Sequence, residues 1–255
     1  MKVRNIGRKI PDMATVNGET FKVVPHKFWI RFNRGEWEPD LNRFFKKHVN
    51  SSKTVLDIGA WQGASLFTVL SQRPKSVIAV EANPESFSLL KTNLMFNNLD
   101  ESVDIHQCCI ADKTGGEVPF GPMDSHVEHS CINGIGGRGF RVQTISFTDF
   151  LGKLYLSDIN IVKIDIEGGE RFLIKGLMTL SNLPDTVIYL AVHPPFWPDK
   201  RSVVEDFMTV CKHFDLFDSK ERPLSPDTLR EWIMSGEKTI YPNKTGLFFD
   251  IILSN

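Results

Sequence analysis

Residues 54–65 read TVLDIGAWQGAS, and this stretch decides the fold. Apolar residues lead to Asp57, Gly59 and Gly63 follow, and helix-forming residues begin at Ala64. The pattern predicts a buried parallel strand, a tight glycine turn and the start of a helix. Glycine is needed where a backbone turns sharply or approaches a ligand closely. Such a turn lies at the carboxyl end of a strand, where open α/β sheets bind their ligands.

The spacing of the two glycines indicates what kind of ligand binds. A dinucleotide turn carries three glycines and holds a diphosphate, whereas this turn has two glycines preceded by Asp57. A carboxylate there repels a diphosphate and suits an ammonium group. The next strand, residues 76–80, leads to Glu81, an acid placed to accept hydrogen bonds from ribose hydroxyls. These features predict S-adenosylmethionine as the cofactor, with another nucleotide, or none, as the alternative.

Composition limits the classes of protein that the chain can represent. The 255 residues show no linker or repeat, and 41% are hydrophobic, which favours one unit with a buried core. A net charge of −1 gives no general attraction to nucleic acid or to an anionic membrane. No apolar run reaches the roughly 18 residues of a membrane span, and residues 1–13 lack the apolar segment of a signal peptide.

The cysteines indicate a reducing compartment. The chain has four of them, and none lies in C-x-x-C spacing (Cys108, Cys109, Cys131 and Cys211). Reduced thiols are the simpler explanation, which predicts a cytoplasmic protein. Adjacent Cys108 and Cys109 are expected on opposite faces of one strand. The oligomeric state stays open.

Residues 1–50 precede the glycine turn and are predicted to form a small cap, and residues 51–255 the core. Asn17-Gly18 between short β-prone runs predicts a hairpin, and Pro39 is expected to open a helix that runs to about residue 48. Three aromatic residues of this section either line an acceptor pocket or pack the cap onto the sheet: Trp29, Phe32 and Trp37.

The rest of the chain alternates apolar strand-like segments with helix-like segments. Six further strands are predicted at 76–81, 103–110, 159–166, 186–192, 214–218 and 246–253, and helices at 64–72, 85–97, 171–180, 200–213 and 225–236. This alternation predicts an α/β fold with a Rossmann-like sheet and helices on both faces. Residues 121–139 are rich in glycine and are predicted to be a mobile loop beside the active site. Within it, His126 and His129 are expected to be surface residues in preference to metal ligands.

Four motifs in order carry a family resemblance: DIGAWQG at 57–63, VEANP at 80–84, ADKTGGEVPF at 111–120 and VKIDIEGGE at 162–170. Together they resemble the FkbM-type S-adenosylmethionine-dependent methyltransferases, and GEWEPD at 35–40 is similar to that family's acidic stretch. The resemblance implies a seven-stranded methyltransferase sheet whose last strand is antiparallel. It also implies methyl transfer to oxygen, often a hydroxyl of a sugar or another small molecule. The chain departs from the family at His193, where members often have an acid or an amide.

The resemblance also implies roles for residues that match the motifs. The residues carried over as cofactor-binding are Glu38, Asp57, Gly59, Ala60, Gly63, Glu81, Ala82, Asn83 and Asp112. Of these, Asp57 and the glycines are expected at the methionine end, Glu81 at the ribose, and Ala82, Asn83 and Asp112 near the adenine. Glu38 either faces the methionine moiety or is a first-turn acid stabilised by the helix dipole.

Methyl transfer to a hydroxyl needs a base, because an alcohol is a poor nucleophile. Asp165, Glu167 and His193 follow strands four and five at the ligand edge and are the candidate catalytic residues. If strand four continues through Glu167, we expect Asp165 and Glu167 to point to opposite sides, so that one of them faces the acceptor. A divalent ion, magnesium or manganese, held by these residues is an alternative that the sequence does not require. Glu167 and Glu170 are equally well explained as caps of the next helix.

The aromatic residues suggest a sugar or glycan as the acceptor. The candidate substrate-binding residues are Trp29, Trp37, Phe196 and Trp197. An aromatic face packs well against the C–H face of a sugar ring. The alternatives are an N-methyltransferase, an O-methyltransferase of a non-sugar small molecule, a cofactor-binding protein without catalysis, and a nicotinamide oxidoreductase. HPPFW at 193–197 follows strand five and has histidine where N-methyltransferases have an amide, which argues against amino-group chemistry.

Overall fold

The structure of the chain is a computed structural model that describes residues 10–122, 130–132, 140–197, 199–237 and 246–255. A seven-stranded sheet forms its centre. In chain order its strands are β3 (Thr54–Ile58), β4 (Ser76–Glu81), β5 (Val103–Gln107), β10 (Ile159–Ile164), β11 (Val187–Val192), β12 (Asp215–Asp218) and β13 (Phe249–Ser254). Their spatial order is β12-β13-β11-β10-β3-β4-β5. The strand β13 is antiparallel to both of its neighbours, and the other pairs are parallel. The predicted sheet with an antiparallel last strand is therefore confirmed.

Helices cover both faces of this sheet. They are α1 (Phe28–Asn33), α2 (Pro39–His48), α3 (Ala64–Leu70), α4 (Pro84–Met95), α5 (Phe147–Leu151), α6 (Ile174–Leu180), α7 (Lys200–Cys211) and α8 (Pro226–Met234). Every residue of β3 is buried, because successive side chains point to opposite faces and each face has a core. Val55 packs with α2, α3 and α4, whereas Leu56 packs with α5 to α8. This double burial explains the continuous apolar strand segments of the sequence.

The N-terminal section begins with the predicted hairpin. Strands β1 (Met13–Val16) and β2 (Glu19–Lys22) are antiparallel, and Asn17 and Gly18 between them have φ values of 51° and 85°. Asn93 on α4 fixes the section to the core, because its side-chain oxygen accepts from the Val24 N–H at 2.7 Å. Aromatic packing adds to this, since the rings of Phe21 and Phe67 stack at 4.5 Å. The section thus lies against α3 and α4, beside the glycine turn.

A second, four-stranded sheet includes part of the segment that was predicted to be a loop. Its spatial order is β6-β9-β7-β8, and its strands are β6 (Cys109–Ala111), β7 (Glu117–Pro122), β8 (Ser130–Ile132) and β9 (Phe140–Ser146). Residues 121, 122 and 130–132 were expected in a mobile loop but belong to these strands. Residues 123–129 and 133–139, with His126 and His129, lie outside the described residues. The strand segments within 121–139 were not predicted, because glycine-rich composition is untypical of strands.

Two predicted elements are divided in the structure. The prediction of one strand at 103–110 is wrong. The strand is interrupted at Cys108, so that β5 pairs with β4 and β6 pairs with β9. The helix expected at 171–180 is preceded by a 3-10 turn, Gly169–Phe172, and α6 begins only at Ile174. At the start of α5, the Ser146 hydroxyl oxygen caps the helix by accepting from the Asp149 N–H. Within the described part of the chain, none of the helices has the length and apolarity to cross a bilayer.

Candidate active site

A cavity of about 220 Å³ opens at the carboxyl ends of β3, β4 and β10. This is the edge at which open α/β sheets bind their ligands. Residues from the N-terminal section, the glycine turn, the end of β4 and the segment after β10 line it together. Both Cys108 and Cys109 line it as well, because the strand is interrupted at Cys108 and does not place them on opposite faces as expected.

The glycine turn after β3 forms one wall of the cavity. Gly59 has a φ of 84°, and its N–H and that of Ala60 both donate to the Val80 carbonyl, at 2.8 and 3.0 Å. A Cβ on Gly59 would lie 1.8 Å from the carbonyl oxygen of Asp165. A side chain at this position is therefore excluded both by the backbone angle and by the segment after β10. The absence of a side chain at Gly59 thus lets the glycine turn contact the segment after β10.

Glu81 ends β4 and holds the turn through its carboxylate. One oxygen accepts from the Trp61 N–H and the other from the Asn83 N–H, each at 2.7 Å. Burial raises the pKa of Glu81 to about 7, although these two hydrogen bonds act in the opposite direction. Asn83 in turn caps α4, accepting from the Glu85 and Ser86 N–H groups. Glu81, Ala82 and Asn83 all line the cavity.

Asp57 lies behind the cavity, among the buried residues. Its carboxylate accepts from the Ser65 hydroxyl at 2.6 Å and lies 3.2 Å from the Lys163 ammonium. Lys163 is also buried and donates to the Gly59 carbonyl at 2.7 Å. Burial alone would lower the pKa of Lys163, but the carboxylates of Asp57, Asp165 and Glu38 raise it above its ordinary value. Lys163 therefore stays charged beneath the glycine turn.

Glu38 faces the cavity from the N-terminal section. It precedes α2 with a φ of 38°, a left-handed conformation that is unusual for a residue with a side chain. Burial, followed by the charge of Asp165, raises the pKa of Glu38 to about 8, while Lys163 opposes this rise. Its side chain makes no hydrogen bond that caps the helix. A strained acid with a raised pKa fits a binding role better than a helix-dipole role.

Three predicted catalytic residues meet at the other end of the cavity. Strand β10 ends at Ile164, and Glu167 has a φ of 49°, so strand alternation does not continue. Asp165 and Glu167 both line the cavity. The expectation that they point to opposite sides was wrong, because residues two apart lie on the same face even of a regular strand. One ligating atom each of Asp165, Glu167 and His193 lies within 4.8 Å of the other two. The Nε2 atom of His193 is 3.6 Å from Asp165 Oδ1.

Glu170 holds His193 in place. It is fully buried, and one carboxylate oxygen lies 2.8 Å from His193 Nδ1 and accepts from the Gly168 N–H. The other oxygen accepts from the Trp197 indole N–H at 2.8 Å. Burial would lower the pKa of His193, but Glu167, Glu170 and Asp165 outweigh it and raise this pKa to about 10. Glu170 is thus a buried anchor, not a cap of the following helix.

The predicted aromatic residues separate into two groups. Trp37 lines the cavity. Phe196 lies beside the end that Asp165 and Glu167 line, which we call the acidic end, and its ring is 6.2 Å from that of His193. Trp29 is fully buried and donates its indole N–H to the Val24 carbonyl. Trp197 is buried with its N–H on Glu170. The structure therefore gives Trp29 and Trp197 packing positions away from the cavity.

Two further predicted residues do not reach the cavity. Asp112 is exposed on the segment after β6. Gly63 is buried, and a Cβ there would lie 3.1 Å from the Leu90 side chain, so its role is to let α3 pack against α4. Sequence reasoning also missed residues that the structure places at the site: Phe28, Arg31, Trp61, Lys163 and Glu170. Of these, Lys163 gave a signal, because a charged residue inside an apolar strand needs a buried partner.

The fold is a Rossmann-like methyltransferase sheet, with helices on both faces and an antiparallel last strand. The sequence profile of the methyltransferase FkbM domain matches residues 47–216. The chain therefore belongs to the FkbM methyltransferase family, as its motifs predicted, and the prediction of S-adenosylmethionine as cofactor is confirmed with it. Among curated proteins, none matches the sequence.

Solved structures with a similar fold have low sequence identity to the chain. One is a TehB-like SAM-dependent methyltransferase from Corynebacterium glutamicum, with a TM-score of 0.48, 10% identity and coverage of 90% of this chain and 94% of that one. Another is an O-methyltransferase from Bacillus cereus in complex with SAH (TM-score 0.46, 11% identity, coverage 84% and 79%). A SAM-dependent O-methyltransferase from Thermotoga maritima has a TM-score of 0.45, 10% identity and coverage of 96% and 78%. The family assignment depends on the profile match and not on these neighbours.

Proposed function

We propose that the protein transfers a methyl group from S-adenosylmethionine to a hydroxyl of a sugar or glycan. The observation that carries this proposal is the continuity of the cavity. It extends from Glu81, at the predicted ribose position, to Asp165 and Glu167. One cavity thus connects a cofactor position with carboxylates that can accept a proton.

The side chains around the cavity fit this cofactor. Glu38 and Glu81 give it carboxylates, which match a ligand with an ammonium group and ribose hydroxyls. The same carboxylates would repel a diphosphate. We assign Glu81 to the ribose, Ala82 and Asn83 to the adenine, and Glu38 with the Gly59–Ala60 turn to the methionine end. Asp57 would act through Lys163, because it does not reach the cavity.

Asp165 is the best placed base for the acceptor. When bound, S-adenosylmethionine would supply an electrophilic methyl carbon, with S-adenosylhomocysteine as the leaving group. Asp165 lines the cavity, whereas His193 lies behind it, fixed by Glu170. Asp165 would take the hydroxyl proton, Glu167 would orient the acceptor, and His193 would position Asp165. Such positioning of the reacting groups supplies a large share of the rate gain.

A neutral, hydroxyl-rich acceptor suits the surroundings of Asp165. The carboxylates of Asp165 and Glu167 disfavour a phosphate-bearing nucleic acid. The ring of Phe196 lies 5.2 Å from that of Phe248, which is 41% exposed. These two rings offer an apolar platform for a sugar beside hydrogen-bonding groups. Free thiols at Cys108 and Cys211 support a reducing, cytoplasmic environment.

The test is mass spectrometry of candidate acceptors after incubation with S-adenosylmethionine. Neutral oligosaccharides and small phenols are offered side by side, with Asp165→Asn as the inactive control. Methylation of an oligosaccharide by the wild type alone supports the proposal. Methylation of phenols without any sugar product would discard the sugar acceptor and keep oxygen as the nucleophile. Methylation of amines alone would discard both.

A further inference from the structure

We infer that Asp165, Glu167 and His193 bind a divalent cation, with Glu170 holding the histidine ligand in place. The site lies at the acidic end of the cavity, where the acceptor hydroxyl is proposed to react, so its catalytic use depends on the proposed function. Its ability to bind an ion does not. Three independent features of the described residues carry the inference: the spacing of the donor atoms, the partner of the histidine and the balance of charge.

The spacing of the donors fits a shared ion better than a direct contact. Asp165 Oδ1 and His193 Nε2 are 3.6 Å apart, which is too long for a hydrogen bond. Two donors each about 2.1 Å from one ion lie about 3.0–4.2 Å apart. One donor atom of Glu167 lies within 4.8 Å of both. Asp165 Oδ1 is buried without a hydrogen-bond partner among the residues that the structure describes. An ion would satisfy this oxygen.

The partner of His193 is the one that metal-binding histidines use. Such a histidine donates its second ring N–H to a carboxylate or carbonyl, which fixes the tautomer and turns the other nitrogen to the ion. Here Glu170 lies 2.8 Å from Nδ1, and Nε2 is directed toward Asp165. Glu170 is itself held by the Trp197 indole and the Gly168 N–H. A fully buried carboxylate with three donors around it is a rigid support for one ligand.

Charge also favours a cation at this position. Asp165, Glu167 and Glu170 bring three carboxylates to one imidazole. Lys163 is 3.9 Å from Asp165 and lies closer to Asp57, at 3.2 Å. The three carboxylates can balance the charge of a divalent ion that binds in exchange for the Nε2 proton of His193. Two carboxylates and one imidazole suit manganese, and magnesium is compatible with the oxygen donors.

An ion here would solve a chemical difficulty of the proposed reaction. A carboxylate is a weak base for an alcohol, whose proton is held about as tightly as that of water. A divalent ion lowers the pKa of an oxygen bound to it, so that a carboxylate becomes a sufficient base. The ion would also fix the acceptor oxygen beside the cavity wall formed by Asp165.

The test measures Mn²⁺ binding directly, without methyl transfer. The full chain is stripped with a chelator, and Mn²⁺ is titrated while the electron paramagnetic resonance signal of the free ion is followed. We expect saturable binding of one ion per chain. Glu167→Gln and His193→Asn each remove a ligand and should abolish it. Glu170→Gln leaves all three ligands and should weaken binding about 10–100-fold.

Asp104→Asn is the matched control, because Asp104 forms another carboxylate–histidine pair, with His106 at 3.0 Å on the surface. It should leave Mn²⁺ binding unchanged. Each variant is checked for binding of S-adenosylhomocysteine, so that only folded protein is compared. Absence of saturable binding in the wild type overturns the inference, as does binding that survives both ligand substitutions.

The same samples separate this inference from the proposed function. Specific Mn²⁺ binding without methylation of any hydroxyl acceptor would leave the metal site standing and remove its catalytic use. Full methylation after chelation, with no Mn²⁺ bound, would support the proposed function and remove the metal site.

Discussion

The two ends of the cavity are built in different ways. At the end that we assign to the cofactor, backbone groups of consecutive elements carry the structure: the Gly59 turn follows β3, and Glu81 ends the neighbouring β4 and accepts from the Trp61 and Asn83 N–H groups. At the acidic end, side chains distant in sequence hold each other, with Glu170 joining His193 and Trp197. Backbone geometry thus specifies one end, and side-chain contacts specify the other.

This difference predicts that substitutions at the two ends affect different measurements. The largest effect is expected for Asp165→Asn, which removes the proposed base. Turnover should fall by about 10²–10⁴-fold, the usual contribution of general acid–base catalysis. Affinity for S-adenosylhomocysteine should stay unchanged, since Asp165 does not hold the ribose. Single-turnover methylation measures the loss of turnover, and calorimetry measures the affinity for S-adenosylhomocysteine. Wild-type turnover in the variant would remove Asp165 from the chemistry.

A substitution at Gly59, where the glycine turn contacts the segment after β10, should affect both ends of the cavity. Gly59→Ala combines a positive φ with a Cβ 1.8 Å from the Asp165 carbonyl oxygen. We expect the free energy of unfolding to fall by about 2–5 kcal/mol, with loss of cofactor binding. Gly115→Ala is the matched control, because its φ of 80° is similar but nothing lies within 4 Å of the added Cβ. It should cost only about 1–2 kcal/mol. Equal costs in denaturant titrations would contradict the close approach.

Glu81→Ala should affect the cofactor end alone. Loss of a hydrogen bond to a charged group weakens binding by about 1.5–3 kcal/mol. The affinity for S-adenosylhomocysteine, measured by calorimetry, should fall accordingly. Asp112→Ala provides the comparison, since that residue is exposed and does not line the cavity. Unchanged affinity after removal of Glu81 would refute the ribose assignment.

The pH dependence of cofactor binding follows from the same residue. Because the pKa of Glu81 is raised to about 7, its carboxyl is mostly neutral at pH 6 and ionised at pH 8. Ribose hydroxyls donate better to the ionised form, so affinity should rise with pH, by about tenfold between pH 6 and pH 8. Glu81→Gln should flatten this rise. A rise that persists in the variant would assign it to Glu38 instead, whose pKa lies near 8.

The smallest effect is expected at the aromatic platform. Phe196→Ala removes one of two rings and should raise the acceptor KM by about 3–10-fold, which corresponds to the 0.5–1.5 kcal/mol typical of an aromatic contact. Cofactor affinity should not change. Phe96→Ala, which removes an exposed ring at the end of α4, serves as the control. If Phe196→Ala weakens cofactor binding and leaves the acceptor KM unchanged, Phe196 does not belong to the acceptor platform.

The same difference explains how far the sequence could be interpreted. The glycine turn and Glu81 are local signals, because a strand, a turn and an acid follow one another in the chain. The positions of Asp165, Glu167 and His193 at the sheet edge were also predictable, since strand ends meet there. The role of Glu170 was not, because its partners His193 and Trp197 lie more than 20 residues away. Trp29 and Trp197 were misleading for the same reason: aromatic residues pack wherever the fold places them.

The central claim is that one cavity holds the cofactor at Glu81 and directs its reactive end toward Asp165. A crystal structure with S-adenosylhomocysteine tests this most directly. The account predicts both ribose hydroxyls on the Glu81 carboxylate and the sulfur on the side of the cavity formed by Asp165 and Glu167. A ligand whose ribose lies away from Glu81, or whose sulfur faces away from Asp165, would contradict it.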